Sequence, residues 1–329
     1  MTIVVQDFRE RMEDKQSVYK TEVLGVKQMG WWKDEPYPHI LPEDSWSLNL
    51  WEEISYRAIQ YFAQSEIAWH TQKNNMLSSQ AMLVNIFFPL KQHLDLLKPW
   101  LSRYYSDVKS VTDLDFEYIG PKNRNYFNER GGRGQNRTSS DISIVWEDKD
   151  KGRNMLLLEY KFTEPNFGEC SQENNPNRQR CFSSRRVVFS PHTQCHKAQA
   201  GRTYWDRVLS EDTPFHRKSL LTAHYCPFRY DFYQLMRNQL LAHCIESDHA
   251  AGFNRVDFGV MYHADSDKLL RMSHPFGGER DPLRAWPNLL KNPETFHAFT
   301  VQDFLDAIDK SLPDDLAGWR AYLKQRYGV

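Results

Sequence analysis

The stretch SSDISIVWEDKDKGRNMLLLEYKFTE, residues 139–164, decides the fold of this chain. Residues 141–146 (DISIVW) and 155–162 (MLLLEYKF) are short and largely apolar, which predicts two strands. The polar segment EDKDKGRN between them is typical of a turn. Two strands joined in this way most simply form an antiparallel hairpin, so we expect a sheet at the centre of the fold.

Three charged side chains interrupt these apolar strands. Asp141 opens the first strand, whereas Glu159 and Lys161 lie near the end of the second. Residues two apart on a strand point to the same face, and the start of one hairpin strand lies beside the end of its partner. We therefore expect two carboxylates and a lysine to converge at one edge of the sheet. Charges in an otherwise apolar strand are costly unless they have partners.

This set of side chains has a definite chemistry. Two close carboxylates repel each other, and a hard cation such as Mg²⁺ relieves that repulsion, typically with water and substrate phosphate as its other ligands. The cation polarises a phosphoryl oxygen and acidifies a bound water, and a nearby lysine stabilises the charge that develops in the transition state. The pattern indicates a phosphodiester hydrolase, although an acidic residue and a lysine two apart on a strand are, by themselves, usually a solvated face.

The sequence on either side of the hairpin predicts a mixed fold. Helical spacing covers residues 48–70 and 76–97, where Ser78 or Ser79 is the expected N-cap and Pro89 an expected kink. The remaining elements are predicted as a strand over 114–120, a loop over 121–137, a helix over about 230–246, a strand over 256–264, a helix that opens with Thr300 and a closing helix over 316–327. This order indicates an α/β (α+β) core with a mixed central sheet flanked by helices, and helical additions at both ends.

With these elements in place, the chain resembles the PD-(D/E)XK nuclease superfamily, and within it the restriction endonuclease branch. The resemblance is carried by Asp141 and the Glu159-Tyr160-Lys161 run on consecutive strands. Three segments add to it: Ser78-Ser79-Gln80, EYKFTE from Glu159, and YQLMRNQLL from Tyr233. It implies a restriction-endonuclease-like core and metal-dependent cleavage of DNA.

The resemblance also implies roles for individual residues. Asp141 and Glu159 match the ligands of Mg²⁺ or Mn²⁺, and Lys161 matches the catalytic lysine. Ser139-Ser140 precedes Asp141 where many members have a proline.

Many superfamily members add a glutamate from the first core helix, and this chain has Gln80 there. Gln80 can hold a metal-bound water but brings no charge. Glu117 on the first strand and Glu66 in the preceding helix are other candidates, and we interpret Glu66 as an ordinary polar residue.

Five further residues are candidates for contacts with DNA. Arg130, Arg133 and Arg137 lie on the glycine-rich loop that leads into the hairpin, where basic side chains can follow a phosphate backbone. Gln234 and Arg237 are three apart on one helix face. Arg237 is expected to contact phosphate and Gln234 to order Lys161 or water; a surface pair on the helix is the alternative.

The cysteines form a separate question. Four of them fall within or at the end of a polar stretch expected to be an insertion, residues 165–226: Cys170, Cys181, Cys195 and Cys226. They lack the Cys-x-x-Cys spacing of zinc ribbons. A structural Zn²⁺ or an iron–sulfur cluster is one interpretation, with His192 or His196 as substitute ligands. Simple packing in the core is the other.

Composition and charge limit the classes of function and location that we expect for this chain. The net charge of −1 gives no global signal for nucleic-acid binding, so such binding needs a local basic patch. No apolar run is long enough to span a membrane, and the charged N-terminus does not resemble a secretion signal. We expect a cytoplasmic protein. We divide it into an N-terminal arm and helical extension (1–75), a nuclease core (76–264) and a C-terminal helical extension (265–329).

The function predicted from the sequence is a Mg²⁺-dependent deoxyribonuclease of restriction or phage-defence type. Its partner is DNA, and a homodimer is expected because cutting both strands needs two sites. Three alternatives stay open: a catalytically inactive nucleic-acid-binding protein of the same fold, a nonspecific repair-type exonuclease, and an enzyme that cuts RNA.

Overall fold

The computed structural model describes residues 6–170, 183–266, 268–271, 275–276 and 279–329. Its strands are β1 (Gly30–Trp32), β2 (Glu35–Tyr37), β3 (Val108–Tyr118), β4 (Ser140–Asp148), β5 (Arg153–Lys161), β6 (Arg255–Tyr262) and β7 (Phe296–Thr300). The last five form one sheet in the order β3-β4-β5-β6-β7, and β1 and β2 form a small separate hairpin.

Helices surround this sheet. Before β3 they are α1 (Phe8–Val18), α2 (Glu52–Gln64), α3 (Ser79–Phe87) and α4 (Lys98–Leu101). Between β5 and β6 they are α5 (Ser184–Phe189), α6 (Pro191–Gln194), α7 (His196–Gln199), α8 (Tyr204–Leu209), α9 (Arg217–Leu220) and α10 (Phe232–Ser247). The last three are α11 (Pro282–Ala285), α12 (Val301–Ile308) and α13 (Ala317–Tyr327).

The sheet is mixed, as the sequence predicts. The β3–β4 and β4–β5 pairs are antiparallel, so the predicted hairpin is confirmed. The β5–β6 and β6–β7 pairs are parallel, and α10 packs against β6 as part of the crossover. Both hairpin strands are internal to the sheet. Asp141 lies near the start of β4, and Glu159 and Lys161 lie at the end of β5. The charged residues therefore meet at the strand ends and not along an outer strand.

Strand β5 is packed against an apolar core on both of its faces. Leu156, Leu158 and Tyr160 belong to a core cluster on one face, which also includes α3 and the C-terminal helices. Met155 and Leu157 belong to the cluster on the other face, which includes α10. Alternate residues of a strand point to opposite faces, so a nearly continuous apolar run is what a strand covered on both sides requires.

Several predicted boundaries are wrong. Helix α2 covers only Glu52–Gln64 of the predicted 48–70. The predicted break at Pro89 is confirmed, because α3 ends at Phe87 and a separate short 3₁₀ helix begins at Pro89. Strand β3 begins six residues earlier than predicted, at Val108. The sequence analysis missed β1, β2 and β7.

The helix caps agree better with the sequence. Ser78 caps α3 by accepting a hydrogen bond from the N–H of Ala81, and Thr300 caps α12 by accepting one from the N–H of Asp303. None of the helices in the described part of the chain is both long and apolar enough to cross a membrane.

Candidate active site

Three carboxylates lie in a row across the strand ends. The register that pairs Ile142 with Leu158 puts Asp141 opposite Glu159, and the β3–β4 register puts Glu117 opposite Asp141. Residues directly opposite each other on neighbouring strands share a face of the sheet. The structure therefore brings together the predicted pair and adds the acid that the sequence analysis gave only as a candidate.

Asp141 occupies the middle of this row, where the negative charges of Glu159 and Glu117 on either side disfavour its ionised form. Its Oδ2 accepts a hydrogen bond of 2.7 Å from the N–H of Tyr160. Burial raises the pKa of the Asp141 carboxyl well above its ordinary value, and the negative charges of Glu159 and Glu117 raise it further, against a smaller lowering by Lys161. A positive ion beside Asp141 would relieve this repulsion.

Glu159 is buried, with only 2% of its surface exposed, and is held by polar side chains. Lys161 Nζ lies 2.8 Å from Glu159 Oε1. Two amides of α10 also donate to it, Gln234 to Oε1 at 2.7 Å and Asn238 to Oε2 at 2.9 Å. A buried charge needs such partners, so these contacts explain why the carboxylate is tolerated inside an apolar strand.

Lys161 is positioned from two sides. Besides its contact with Glu159, its Nζ donates to Gln234 Oε1 at 3.1 Å. Burial acts to lower the pKa of the Lys161 ammonium, but the charges of Glu159, Glu164 and Asp141 outweigh it and raise that pKa. The side chain is therefore a fixed positive charge beside the carboxylates.

Glu117 sits at the outer end of the row in a strained backbone conformation, with φ of +49°. Its Oε1 accepts from Gln80 Nε2 at 2.8 Å, and its Oε2 accepts from the hydroxyl of Ser139 at 2.9 Å. His70 Nε2 lies 3.6 Å from Oε1. Gln80 thus contacts the carboxylate row through Glu117, while Glu66 lies exposed beyond the end of α2.

A second polar network lies beside the row. Buried Glu129 accepts hydrogen bonds from the backbone N–H and the hydroxyl of Thr138, and from the hydroxyl of Tyr204. Arg237 of α10 donates to Thr138 Oγ1 at 2.9 Å and lies 3.4 Å from Glu129. This network joins the glycine-rich loop, α8 and α10, so Arg237 links these three elements.

The carboxylates open into a cleft of about 790 Å³. Its basic lining comes from Arg130, Arg137, Lys197 and Arg202, and Arg237 lines it as well. Lys197 and Arg202, from the insertion, were not predicted from the sequence.

Arg133 takes a different direction from its neighbours on the loop. Its guanidinium lies 2.6 Å from Asp115 and donates to backbone carbonyls of Phe116 and Glu117. It is absent from the described lining of the cleft. Its contacts anchor the loop to β3, which no pattern in the local sequence signals.

The cysteines do not form a described metal centre. Cys170, Cys195 and Cys226 are half-buried against one core cluster, and Cys181 lies outside the described residues. Within the described ranges, no group of three or more His, Cys, Asp or Glu side chains is arranged to hold a metal ion. His192 Nε2 lies 3.1 Å from an Asp206 carboxylate oxygen, and both side chains are exposed.

The carboxylate row is likewise not arranged as a three-ligand metal site among the described residues. Its three members lie on three strands, and neighbouring strands are about 4.8 Å apart. Mg²⁺ nevertheless needs only one or two protein carboxylates, because water and phosphate complete its coordination. Asp141 and Glu159 lie on adjacent strands, and the raised pKa of Asp141 reflects the repulsion that a cation would relieve. This donor set fits a hard divalent ion.

Comparison with known proteins identifies one family. The family model described as restriction endonuclease associating with ARP matches residues 12–328. No curated protein and no solved structure matches the chain.

Proposed function

The chain belongs to the family of restriction endonucleases associating with ARP, and on that premise we propose that it is a metal-dependent nuclease that hydrolyses phosphodiester bonds of DNA in restriction or phage defence. The resemblance of the sequence to restriction endonucleases is thereby confirmed. The observation that carries the proposal is the row of Glu117, Asp141 and Glu159 with Lys161 beside it, because this combination binds a divalent ion and phosphate together.

Each residue of the row has a distinct part in the proposed reaction. Asp141 and Glu159 hold Mg²⁺ or Mn²⁺, which when bound polarises the phosphoryl oxygen and acidifies a water. Lys161, fixed between Glu159 and Gln234, holds the attacking water and stabilises the negative charge that develops on the phosphate. Glu117 adds negative charge on the far side of Asp141.

The cleft supports DNA as the substrate. Arg130, Arg137, Lys197 and Arg202 line its walls, and such side chains bind the phosphate backbone without reading sequence. Arg237, although paired with Glu129, reaches the same cleft. The overall charge of the chain is −1, so the binding surface is local.

The test compares carboxylate variants on plasmid and linear DNA, with Mg²⁺ or with EDTA. Asp141→Asn and Glu159→Gln should each abolish cleavage while DNA binding is kept. Glu147→Gln is the matched control, because Glu147 lies on β4 with Asp141 but at the opposite end of that strand, where it pairs with Lys109. Metal-dependent cleavage at the parent rate in Asp141→Asn would overturn the proposal.

The products separate the alternatives. Discrete fragments indicate a sequence-specific endonuclease, progressive shortening of linear DNA indicates the repair-type exonuclease, and DNA binding without cleavage indicates the inactive binding protein. Sedimentation with and without DNA tests the expected homodimer.

A further inference from the structure

A second cavity, of about 750 Å³, adjoins the catalytic cleft. Six residues line both, namely His70, Ser79, Gly134, Gln135, Asn136 and Glu164. A group bound in this cavity would therefore lie next to a phosphate bound at the carboxylate row. We call it the amide pocket, after the side chains of Gln72, Asn75, Gln135 and Asn136 in its lining.

The walls of the amide pocket are held in place. Gly134 touches Ala68 so closely that a Cβ would lie 2.4 Å from the carbonyl oxygen of Ala68. The N–H of Ala68 donates to the carbonyl of Arg133 at 3.1 Å. Trp69 stacks on Phe62 with ring centres 4.1 Å apart. The glycine-rich loop and the segment after α2 thus form a fixed wall.

The chemistry of the lining selects the ligand. Gln135 accepts from the N–H of Gly132 at 3.2 Å, and Gln72 accepts from Asn75 Nδ2 at 3.2 Å. Among the described residues neither amide NH₂ has a hydrogen-bond acceptor, so both can donate to a ligand. Among the described lining residues, Arg9 is the sole arginine or lysine, and it is paired with Glu13 at 2.9 Å. The pocket therefore suits a neutral, planar, hydrogen-bonding group better than a phosphate.

We propose that the amide pocket binds one unpaired nucleobase of the strand whose phosphate lies at the carboxylate row. Side-chain amides of asparagine and glutamine bind base edges through hydrogen bonds, and the exposed ring of His70 supplies aromatic surface for contact with the base. A base inside a duplex has its edge occupied and must leave the stack to enter such a cavity. The inference rests on the proposed function, since that function places the strand in the cleft.

The test scans single-stranded DNA oligonucleotides, in EDTA so that binding alone is measured. Each nucleotide in turn is replaced by an abasic site. We expect one position at which loss of the base weakens binding about tenfold, the size expected for a lost base contact. In Gln135→Ala and Asn136→Ala, which alter exposed loop residues, the penalty at that position should shrink to about threefold or less.

Gln64→Ala is the matched control, because Gln64 is an exposed amide at the end of α2 that lines neither cavity. A scan with no sensitive position, or a penalty unchanged in both loop variants, overturns the pocket assignment, as does failure to bind any strand. Binding with a sensitive position but no cleavage in Mg²⁺ would leave the pocket standing and overturn the nuclease proposal.

Discussion

Glu117 combines a strained backbone conformation with a negative charge beside Asp141. A left-handed conformation in a residue other than glycine costs about 1–2 kcal/mol, and Glu117 adopts it with φ of +49°. Gln80 and Ser139 hold both of its carboxylate oxygens. Strain of this kind persists where the surroundings fix it, and it is common at functional sites.

Lys161 is the residue that distinguishes a phosphodiesterase from a simple metal site. Lys161→Met keeps the length and apolar stem but removes the charge and its donors. We expect near-normal Mg²⁺ and DNA binding with cleavage at least about a hundredfold slower, because one preorganised donor is lost. Single-turnover rates measure this, with Lys151→Met, on the exposed β4–β5 turn, as the control. A parent-like rate, or loss of metal binding, contradicts the assignment.

Asp141 predicts a dependence of stability on pH. Its pKa is raised in the folded chain, so its contribution to stability is present at low pH and is lost as pH rises through the raised value. Asp141→Asn removes this loss. In EDTA its Tm should therefore exceed that of the parent by a few degrees, the effect of about 1 kcal/mol in a chain of this size, and the difference should grow with pH.

Calorimetry at several pH values, with and without Mg²⁺, checks the prediction. Mg²⁺ should raise the Tm of the parent more than that of the variant, because binding to the folded state stabilises it. A Tm difference that does not change with pH would contradict the role of Asp141 as the repelled centre of the row.

At the scale of elements, the site depends on how one loop and one helix are held against the sheet. Helix α10 presents Gln234 and Asn238, four apart on one face, to Glu159. The glycine-rich loop is tied to the insertion, where Asn128 Nδ2 donates to the carbonyl of Gly201 at 2.9 Å and the N–H of Thr203 donates to the carbonyl of Phe127 at 3.3 Å. Both walls of the cleft are therefore structured.

Gly134 tests the docking of this loop. Gly134 has φ of +70°, and a Cβ there would lie 2.4 Å from the carbonyl oxygen of Ala68. Gly25 has φ of +69° with nothing within 4 Å of its Cβ position. Gly25→Ala should cost about 1 kcal/mol, for backbone conformation alone. Gly134→Ala adds the clash and should cost about 2–3 kcal/mol.

Urea unfolding of the two variants and the parent measures the difference between them. Gly134→Ala should also weaken DNA binding, whereas Gly25→Ala should leave it unchanged. Equal destabilisation by the two substitutions would show that the loop moves freely away from Ala68.

At the scale of the whole molecule, the two ends of the chain pack together. Gln16 of α1 donates to the carbonyl of Arg326 at 2.9 Å, and Arg326 donates to Gln16 Oε1 at 3.2 Å. Tyr327 accepts a hydrogen bond of 2.8 Å from Asn85 of α3. The N- and C-terminal extensions thus contribute to the same core cluster as the sheet. The division into three regions stays a prediction.

His263 is buried where α1 meets the end of β6, stacked on Phe8 at 4.4 Å. Its Nδ1 accepts from the N–H of Asp265 at 3.1 Å, a contact that protonation of Nδ1 would break. Burial lowers the pKa of His263 to about 4, against a small opposing effect of Asp265. Its contribution to stability is therefore present above the unfolded pKa of about 6.5 and is lost as pH falls toward 4.

The variant His263→Gln should reduce the loss of unfolding free energy at low pH, which amounts to at most about 3 kcal/mol. Unfolding free energies between pH 4 and 7 measure it, with His249→Gln, at an exposed position, as the control. An acid loss of the same size in His263→Gln would place its origin elsewhere.

The sequence by itself determined the parts that depend on neighbours along the chain. Two short, largely apolar runs and the polar turn between them predict β4 and β5, and the hairpin then brings Asp141 beside Glu159 and Lys161. The caps at Ser78 and Thr300 are equally local. The resemblance to restriction endonucleases rests on the same two strands and on segments that lie at α3 and α10.

Only the tertiary structure decided which distant residues complete the site. The register of β3 against β4 places Glu117 in the row, the packing of α10 brings Asn238 to Glu159, and the insertion places Lys197 and Arg202 on the cleft wall. Arg133 turns instead toward Asp115. Such contacts depend on sheet register and helix packing between segments far apart in sequence, which local periodicity does not encode.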